Sequence, residues 1–218
     1  MNITLMCNAG LMLEHNGQTL LIDIPNGYCP PFNTISVSAW KEIVTSKRIV
    51  GLYFTHAHPD HYNSEMVEQF CAEYPEIPVF LPKQGVESGN TTMGDFELEY
   101  CMVPHAPIVD PPVHVVTLIK TKDMTVYLPA DAELDPVSHR LFLNGRKADI
   151  GIWNAMFLSR PQTRSLMHEA AFRNYIYHMP LQDEDTMGIW RKCRNNFERF
   201  PEELLDITVL NHYPYIII

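Results

Sequence analysis

Long apolar runs, paired cysteines and a surplus of basic residues are all missing from this 218-residue sequence. No apolar stretch approaches the roughly 20 residues that a membrane-spanning helix needs, so no membrane partner is expected. The first residues, MNITLMCNAGLMLEHNG, have no basic segment and no small-residue cleavage site after an apolar run, which argues against a secretory leader. Cys7, Cys29, Cys71, Cys101 and Cys193 are odd in number, widely spaced and form no C-x-x-C pair. That pattern fits a reduced, cytoplasmic protein better than a disulfide framework or a cysteine zinc site. Lys and Arg number 16 against 26 Asp and Glu, a formal charge of −10. Binding through phosphate-backbone contacts relies on basic side chains, so nucleic acid is not an expected partner. A G-x-S-x-G elbow and a Cys–His signature are lacking as well, which leaves no evident side-chain nucleophile.

What is present is ordinary for a globular chain, 46% apolar and 19% charged, enough for one sizeable domain over residues 1–218. Apolar runs or alternation predict strands at 18–24, 48–55, 77–82, 96–104, 113–119, 124–130, 148–155, 174–179, 206–213 and 215–218. The polar turn KTKD joins 113–119 to 124–130 as a hairpin. Helical spacing marks 37–45 with Ser36 as N-cap, 64–74 with Ser64 as N-cap, and 183–200. The stretch 159–171 reads as loop or short helix. Strands and helices interleave in both halves. This fits an α/β architecture of two sheets packed face to face with helices outside, with a doubly wound parallel sheet as the competing layout.

The segment YFTHAHPDHYN, residues 53–63, places His56, His58, Asp60 and His61 within six positions directly after a strand. A solvated polar turn is the bland explanation, but four metal-binding groups in one turn suit a shared task. A hydrolytic zinc has three protein ligands and one open position, so two ions need about three more ligands from elsewhere. His105, Asp131 and His178 each supply the first strong metal-binding group after an apolar β run.

With these residues in order, the sequence resembles the metallo-β-lactamase superfamily over nearly its whole length. HAHPDH (56–61) matches the family's H-x-H-x-D-H, and Asp23 in LLID, His105, Asp131 and His178 follow the family's order. The resemblance implies an αββα sandwich of two mixed β-sheets flanked by helices. It implies that His56, His58 and His105 hold one metal ion, and that Asp60, His61 and His178 hold a second, with Asp131 bridging. Asp23 would support the histidine turn from beneath. Two divalent ions are expected, zinc by default, with manganese or iron as alternatives. They would share a hydroxide that cleaves a small ester, phosphodiester or lactone, with Asp60 and Asp131 positioning the attacking water. A metal-dependent redox enzyme of the same fold and a non-catalytic metal-binding module are the alternatives. Glu replaces the residue at His58 in the diiron redox members, which weighs against the first of these.

The sequence also departs from the family. HAPIVD (105–110) lacks the H-x-x-G-H form, and Ala130 stands where Gly is usual before Asp131. His212 competes with His178 as the last ligand; His178 is preferred because a helix and a closing strand follow it. Arg164, with Arg160 and Arg173, is a candidate for binding an anionic substrate, and His168 for donating a proton to it. His15, His114 and His139 read as turn, strand or surface residues. The expected partner is a small-molecule substrate, and the chain is compatible with a homo-oligomer.

Overall fold

Both faces of the strand Gln18–Ile22 are apolar, and both are covered: Leu20 and Ile22 face a second sheet, Leu21 faces helices. In the computed structural model, which describes residues 1–218, this double burial explains why the run shows no polar alternation. The chain opens with β1 (Asn2–Leu5), β2 (Leu11–His15) and β3 (Gln18–Ile22), followed by α1 (Val37–Ser46), β4 (Ile49–Tyr53), α2 (Ser64–Glu73) and β5 (Val79–Phe80). The second half contains β6 (Ser88–Met93), β7 (Phe96–Met102), β8 (Val115–Lys120), β9 (Thr125–Ala130), α3 (Pro136–Leu143) and β10 (Ala148–Asn154). A 3-10 turn (Ala155–Ser159) leads into α4 (Pro161–Ala170), β11 (Ala171–Tyr177), α5 (Ile189–Arg199), β12 (Ile207–Val209) and β13 (Tyr215–Ile216).

Six strands form one mixed sheet in the order β13-β1-β2-β3-β4-β5, and seven form the other in the order β12-β11-β10-β9-β8-β7-β6. Between them lies a core that includes Ile3, Leu13, Leu20, Ile22 and Tyr53 from the first sheet and Phe96, Leu98, Ile119, Leu128 and Ile152 from the second. Each such side chain, fully buried, contributes about 1.5–3 kcal/mol. Outside the first sheet, Ile43 of α1 and Val67 and Phe70 of α2 pack with Leu21, Leu52 and Phe54. Outside the second, Leu166 and Met167 of α4 and Trp190 and Cys193 of α5 cover Trp153, Phe157 and Ile176. The result is the αββα sandwich; the doubly wound alternative is overturned, because the strands divide between two sheets and several pairs are antiparallel.

Local chemistry moves several boundaries. Asn63, not Ser64, caps α2, its side chain accepting from the Met66 N–H. The helix expected from residue 183 begins at Ile189, because the Asp185 carboxylate accepts from the Ile189 and Trp190 N–H groups and fixes the start there. The stretch 159–171 is mostly helix, α4. The β1–β2 hairpin, β6 and α3 lie outside the elements that spacing predicts. Strands β3 and β4 run parallel, as do β9, β10 and β11, and β7 shares their direction through two antiparallel pairings. Their carboxyl ends therefore gather along one edge of the sandwich.

Candidate metal centre

That edge collects the preferred strand-end residues and leaves out His212, the rival to His178. Asp23 follows β3, the histidine turn follows β4, His105 follows β7, Asp131 follows β9 and His178 follows β11. Asp23, Ala130 and His178 hold left-handed backbone, with φ of 53°, 48° and 60°, where each strand turns sharply into the site. Such conformations cost non-glycine residues about 1–3 kcal/mol, and they persist because the surrounding packing fixes them.

The protonation pattern follows from Asp23, which is wholly buried and can only accept. Its Oδ1 takes the Thr55 N–H at 2.8 Å, and its Oδ2 takes the Thr55 hydroxyl at 2.8 Å. With its only proton committed, Thr55 Oγ1 must accept from His56 Nδ1 at 3.0 Å. Asp23 Oδ2 also accepts from His61 Nδ1 at 2.9 Å. His56, held neutral by burial, is thereby left with an unprotonated Nε2, and the Nε2 of His61 likewise aims away from Asp23. His105 donates from Nδ1 to the Ala106 carbonyl at 2.7 Å, and its buried Nε2 has no hydrogen-bond partner.

These free nitrogens converge in two groups. His56, His58 and His105 form one, and Asp60, His61, Asp131 and His178 the other, with the ligand atoms of each group within 4.8 Å of one another. His56 Nε2 lies 3.2 Å from His58 Nδ1, and His61 Nε2 lies 3.0 Å from His178 Nε2. His178 Nε2 is 3.1 Å from Asp60 Oδ2. Asp131 Oδ2 is 3.5 Å from His61 Nε2, 3.4 Å from His178 Nε2 and 3.7 Å from His105 Nε2, so a single oxygen faces both groups.

Charge reinforces the arrangement. Burial, with His61 and His114 nearby, holds His56 well below the ordinary imidazole range, so it stays neutral. Burial opposes ionisation of Asp60 and Asp131, but His61 and His178 outweigh it and keep both carboxyls below the usual range. Burial likewise opposes charge on His61 and His178, but Asp131 and Asp60, joined at His61 by Asp23, outweigh it and hold His61 well above, and His178 above, the ordinary imidazole range. A bound cation would take the place of those protons, since neutral imidazoles and ionised carboxylates are the forms that bind metal. An unpartnered buried imidazole nitrogen, ring nitrogens facing each other and an all-nitrogen-and-oxygen donor set fit divalent metal ions.

Asparagines that no sequence motif singles out hold the carboxylates in place. Asn154, ending β10, donates from Nδ2 to Asp131 Oδ1 at 2.7 Å while its Oδ1 accepts from Met156 N–H at 3.0 Å. Asn8 Nδ2 lies 3.4 Å from both Asp60 Oδ2 and His178 Nε2, and Asn26 Nδ2 donates to the Asp60 carbonyl. His114, expected as a strand or surface residue without a part in the chemistry, belongs to the site's wall. It is buried, donates to the Val103 carbonyl at 3.0 Å, and sets its ring at a tilt 5.1 Å from that of His56. Burial pushes it down to about 3, so it walls the site as a neutral ring. His15 and His139 are likewise buried, away from the centre.

The substrate candidates Arg164 and His168, and the rival ligand His212, lie elsewhere. Arg164 is buried, donates to Glu203 at 2.6 Å and to the Leu158 carbonyl at 2.9 Å, and stacks on Phe200 at 3.7 Å. It ties α4 to the chain beyond α5 and cannot meet a ligand. His168 bonds the Glu203 carbonyl on the same outer face, and His212 is exposed beside Asn211 and Tyr215. None of the three borders the cavity of about 490 Å³ above the two groups, whose floor includes His58, Asp60, His105, Asp131 and His178.

No family model and no curated protein matches the chain. Solved structures do. The metallo-beta-lactamase fold protein YhfI from Bacillus subtilis superposes with a TM-score of 0.63 at 12% identity, over 99% of each chain. A possible metal-dependent hydrolase from Veillonella parvula gives 0.68 at 14%, over 100% of this chain and 98% of that one. The diiron β-hydroxylase CmlA from Streptomyces venezuelae gives 0.69 at 16%; this chain is covered to 99% but spans only 53% of CmlA. The chain has the metallo-β-lactamase fold. Within that fold, Ala130 takes the left-handed position before Asp131 that glycine usually occupies, so this departure leaves the backbone course intact.

Proposed function

We propose that the protein is a dinuclear metal-dependent hydrolase of a small ester, either phosphodiester or lactone. The observation that carries this reading is the single Asp131 oxygen facing histidine nitrogens of both groups, at 3.4–3.7 Å, on the floor of an open cavity. His56, His58 and His105 would hold one ion; Asp60, His61 and His178 the other; Asp131 both. Two such ions supply Lewis acidity and a water made acidic near neutral pH. The chain supplies the rest. Asp60 and Asp131, ionised at the cavity floor, orient the attacking water and accept its proton as oxygen adds to carbon or phosphorus. The ester bond breaks, one water is consumed, the proton passes to the leaving oxygen, and an acid and an alcohol result, joined in one hydroxy acid where the ester is a lactone. Asn154 keeps Asp131 aimed, and Asp23 keeps His61 in the ligating tautomer.

Thiol chemistry is disfavoured at this cavity. Burial pushes the Cys193 thiol up to about 11, and burial with Asp60 nearby raises Cys29, so neither thiolate forms readily. The likeness to CmlA supports a second reading, a diiron redox enzyme, although the His58 nitrogen donor suits the hydrolytic one. Zinc-loaded protein should bind two ions and cleave bis(p-nitrophenyl) phosphate or a simple lactone. If His58→Ala retains both metals and activity, the proposal fails; iron content with oxygen consumption would favour the redox reading.

A further inference from the structure

Above the metal-binding floor the cavity is mostly apolar, walled by Phe32, Ile108, Met156, Met187 and Ile189. One cation, Lys192, lines it. Lys192 is exposed, belongs to no ion pair, and projects from the same face of α5 as Ile189, Cys193 and Asn196, at helical spacing. The cavity's other polar groups outside the floor are engaged. Ser159 bonds the Met156 carbonyl, Asn196 donates to the Lys192 carbonyl, and Asn154 is committed to Asp131 and Met156.

The position of Lys192 also conflicts with its helix. Arg191, Lys192 and Arg194 crowd the amino-terminal half of α5, where the single Asp185 carboxylate on the Ile189 and Trp190 N–H groups offsets only part of their charge. Cations there oppose the helix dipole. Such local conflicts concentrate where function requires them. Arg191 and Arg194 border a separate polar depression with Gln182 and Asp185, leaving Lys192 alone over the cavity.

We infer that the cavity takes an amphiphile with an apolar body and a single carboxylate, which pairs with Lys192 while the body lies against the apolar wall. One ammonium with no arginine fork beside it suits a monoanion better than a phosphate dianion. As a statement about substrate, this rests on the hydrolytic reading above; as a statement about the ligand, it rests on the cavity. The scissile ester then lies at the floor, and the carboxylate at the far end.

Calorimetry on zinc-loaded protein tests this with octanoate against octanamide, ligands of one shape that differ in charge. Wild type should bind octanoate about five-fold tighter at low salt, as a partly screened ion pair allows, with the preference shrinking as salt rises. Lys192→Met keeps an apolar stem and should erase the preference, and Lys192→Arg should keep it. No preference in wild type overturns the inference. So does a preference that survives in Lys192→Met, since the carboxylate would then sit on the metal ions. Turnover of mono-4-nitrophenyl suberate against its methyl ester adds the kinetic arm, with the free acid preferred through KM. Cleavage of neither ester, with the octanoate preference intact and dependent on Lys192, would overturn the hydrolytic reading and leave the ligand class standing.

Discussion

Replacing Asp23 with asparagine changes one buried atom pair and, through it, two histidines on opposite sides of the metal centre. The backbone tolerates the change, because Asp23 sits at φ 53° and asparagine adopts that region readily. In Asp23→Asn the amide oxygen would still accept the Thr55 N–H, but the amide nitrogen would donate where Oδ2 accepts from Thr55 Oγ1 and His61 Nδ1. Thr55 Oγ1 must then turn its proton toward His56 Nδ1, 3.0 Å away. Both imidazoles would move their protons onto Nε2, the atoms that face the ligand groups. Disturbing such a supporting bond costs about 10–100-fold in metal affinity, or about 1.4–2.7 kcal/mol. Here both ions should weaken, since His56 and His61 belong to different groups. The metal-free fold should lose less, on the order of 1–2 kcal/mol, because charged bonds become neutral ones without being orphaned. Chelator competition reads the affinities, and imidazole nitrogen NMR reads the tautomers. Unchanged affinity for both ions, or Nδ1-protonated His56 and His61 in Asp23→Asn, would refute the reasoning.

Asn154→Ala removes the donor to Asp131 and the cap on Met156, so it should lower stability by about 1 kcal/mol in thermal melts and weaken metal binding about ten-fold in chelator competition. Arg164→Met should lose about 2 kcal/mol from its bond to Leu158 and its stacking on Phe200, lowering Tm by roughly 4–8 °C, with KM unaltered; a raised KM at constant Tm would return Arg164 to the substrate. Glu99 is held down at about 2, against an ordinary 4.5, first by Arg146, against the pull of burial, and then by Lys120. A depressed carboxyl stabilises fully above pH 4.5 and loses that contribution as pH falls toward 2. Acid titration of stability should therefore be shallower in Glu99→Gln by on the order of 1 kcal/mol, the screened value of such a pair.

The strand-end logic makes most of the centre legible before any fold is known. His105, Asp131 and His178 each follow an apolar run, and parallel strand directions carry them to one edge. Asp23 is legible only through the resemblance. Asn8, Asn26 and Asn154 are not, because an asparagine in a loop or at a strand end that braces a ligand residue reads like any turn residue. His114 escapes for the opposite reason: one histidine entering an apolar strand signals burial but not proximity to another turn. Arg164 misleads because charge suggests solvent or substrate, whereas this guanidinium is buried with Nε on Glu203, Nη1 on the Leu158 carbonyl and its face on Phe200, although Nη2 has no partner. The β1–β2 hairpin is hard to read because its own turn, MCNAG, offers only Asn8 and Gly10, whereas Asn16-Gly17, both at positive φ, marks the next turn into β3. Helix α5 is overextended because its spacing continues past the Asp185 cap.

Counting bound ions tests the central claim most directly. Native mass spectrometry of zinc-saturated wild type should show two ions per chain. His58→Ala should lose the ion of the His56–His58–His105 group, and His178→Ala the ion of the group around Asp60 and His61. Wild type that binds no zinc at saturation, or single variants that both keep two ions, would contradict the account.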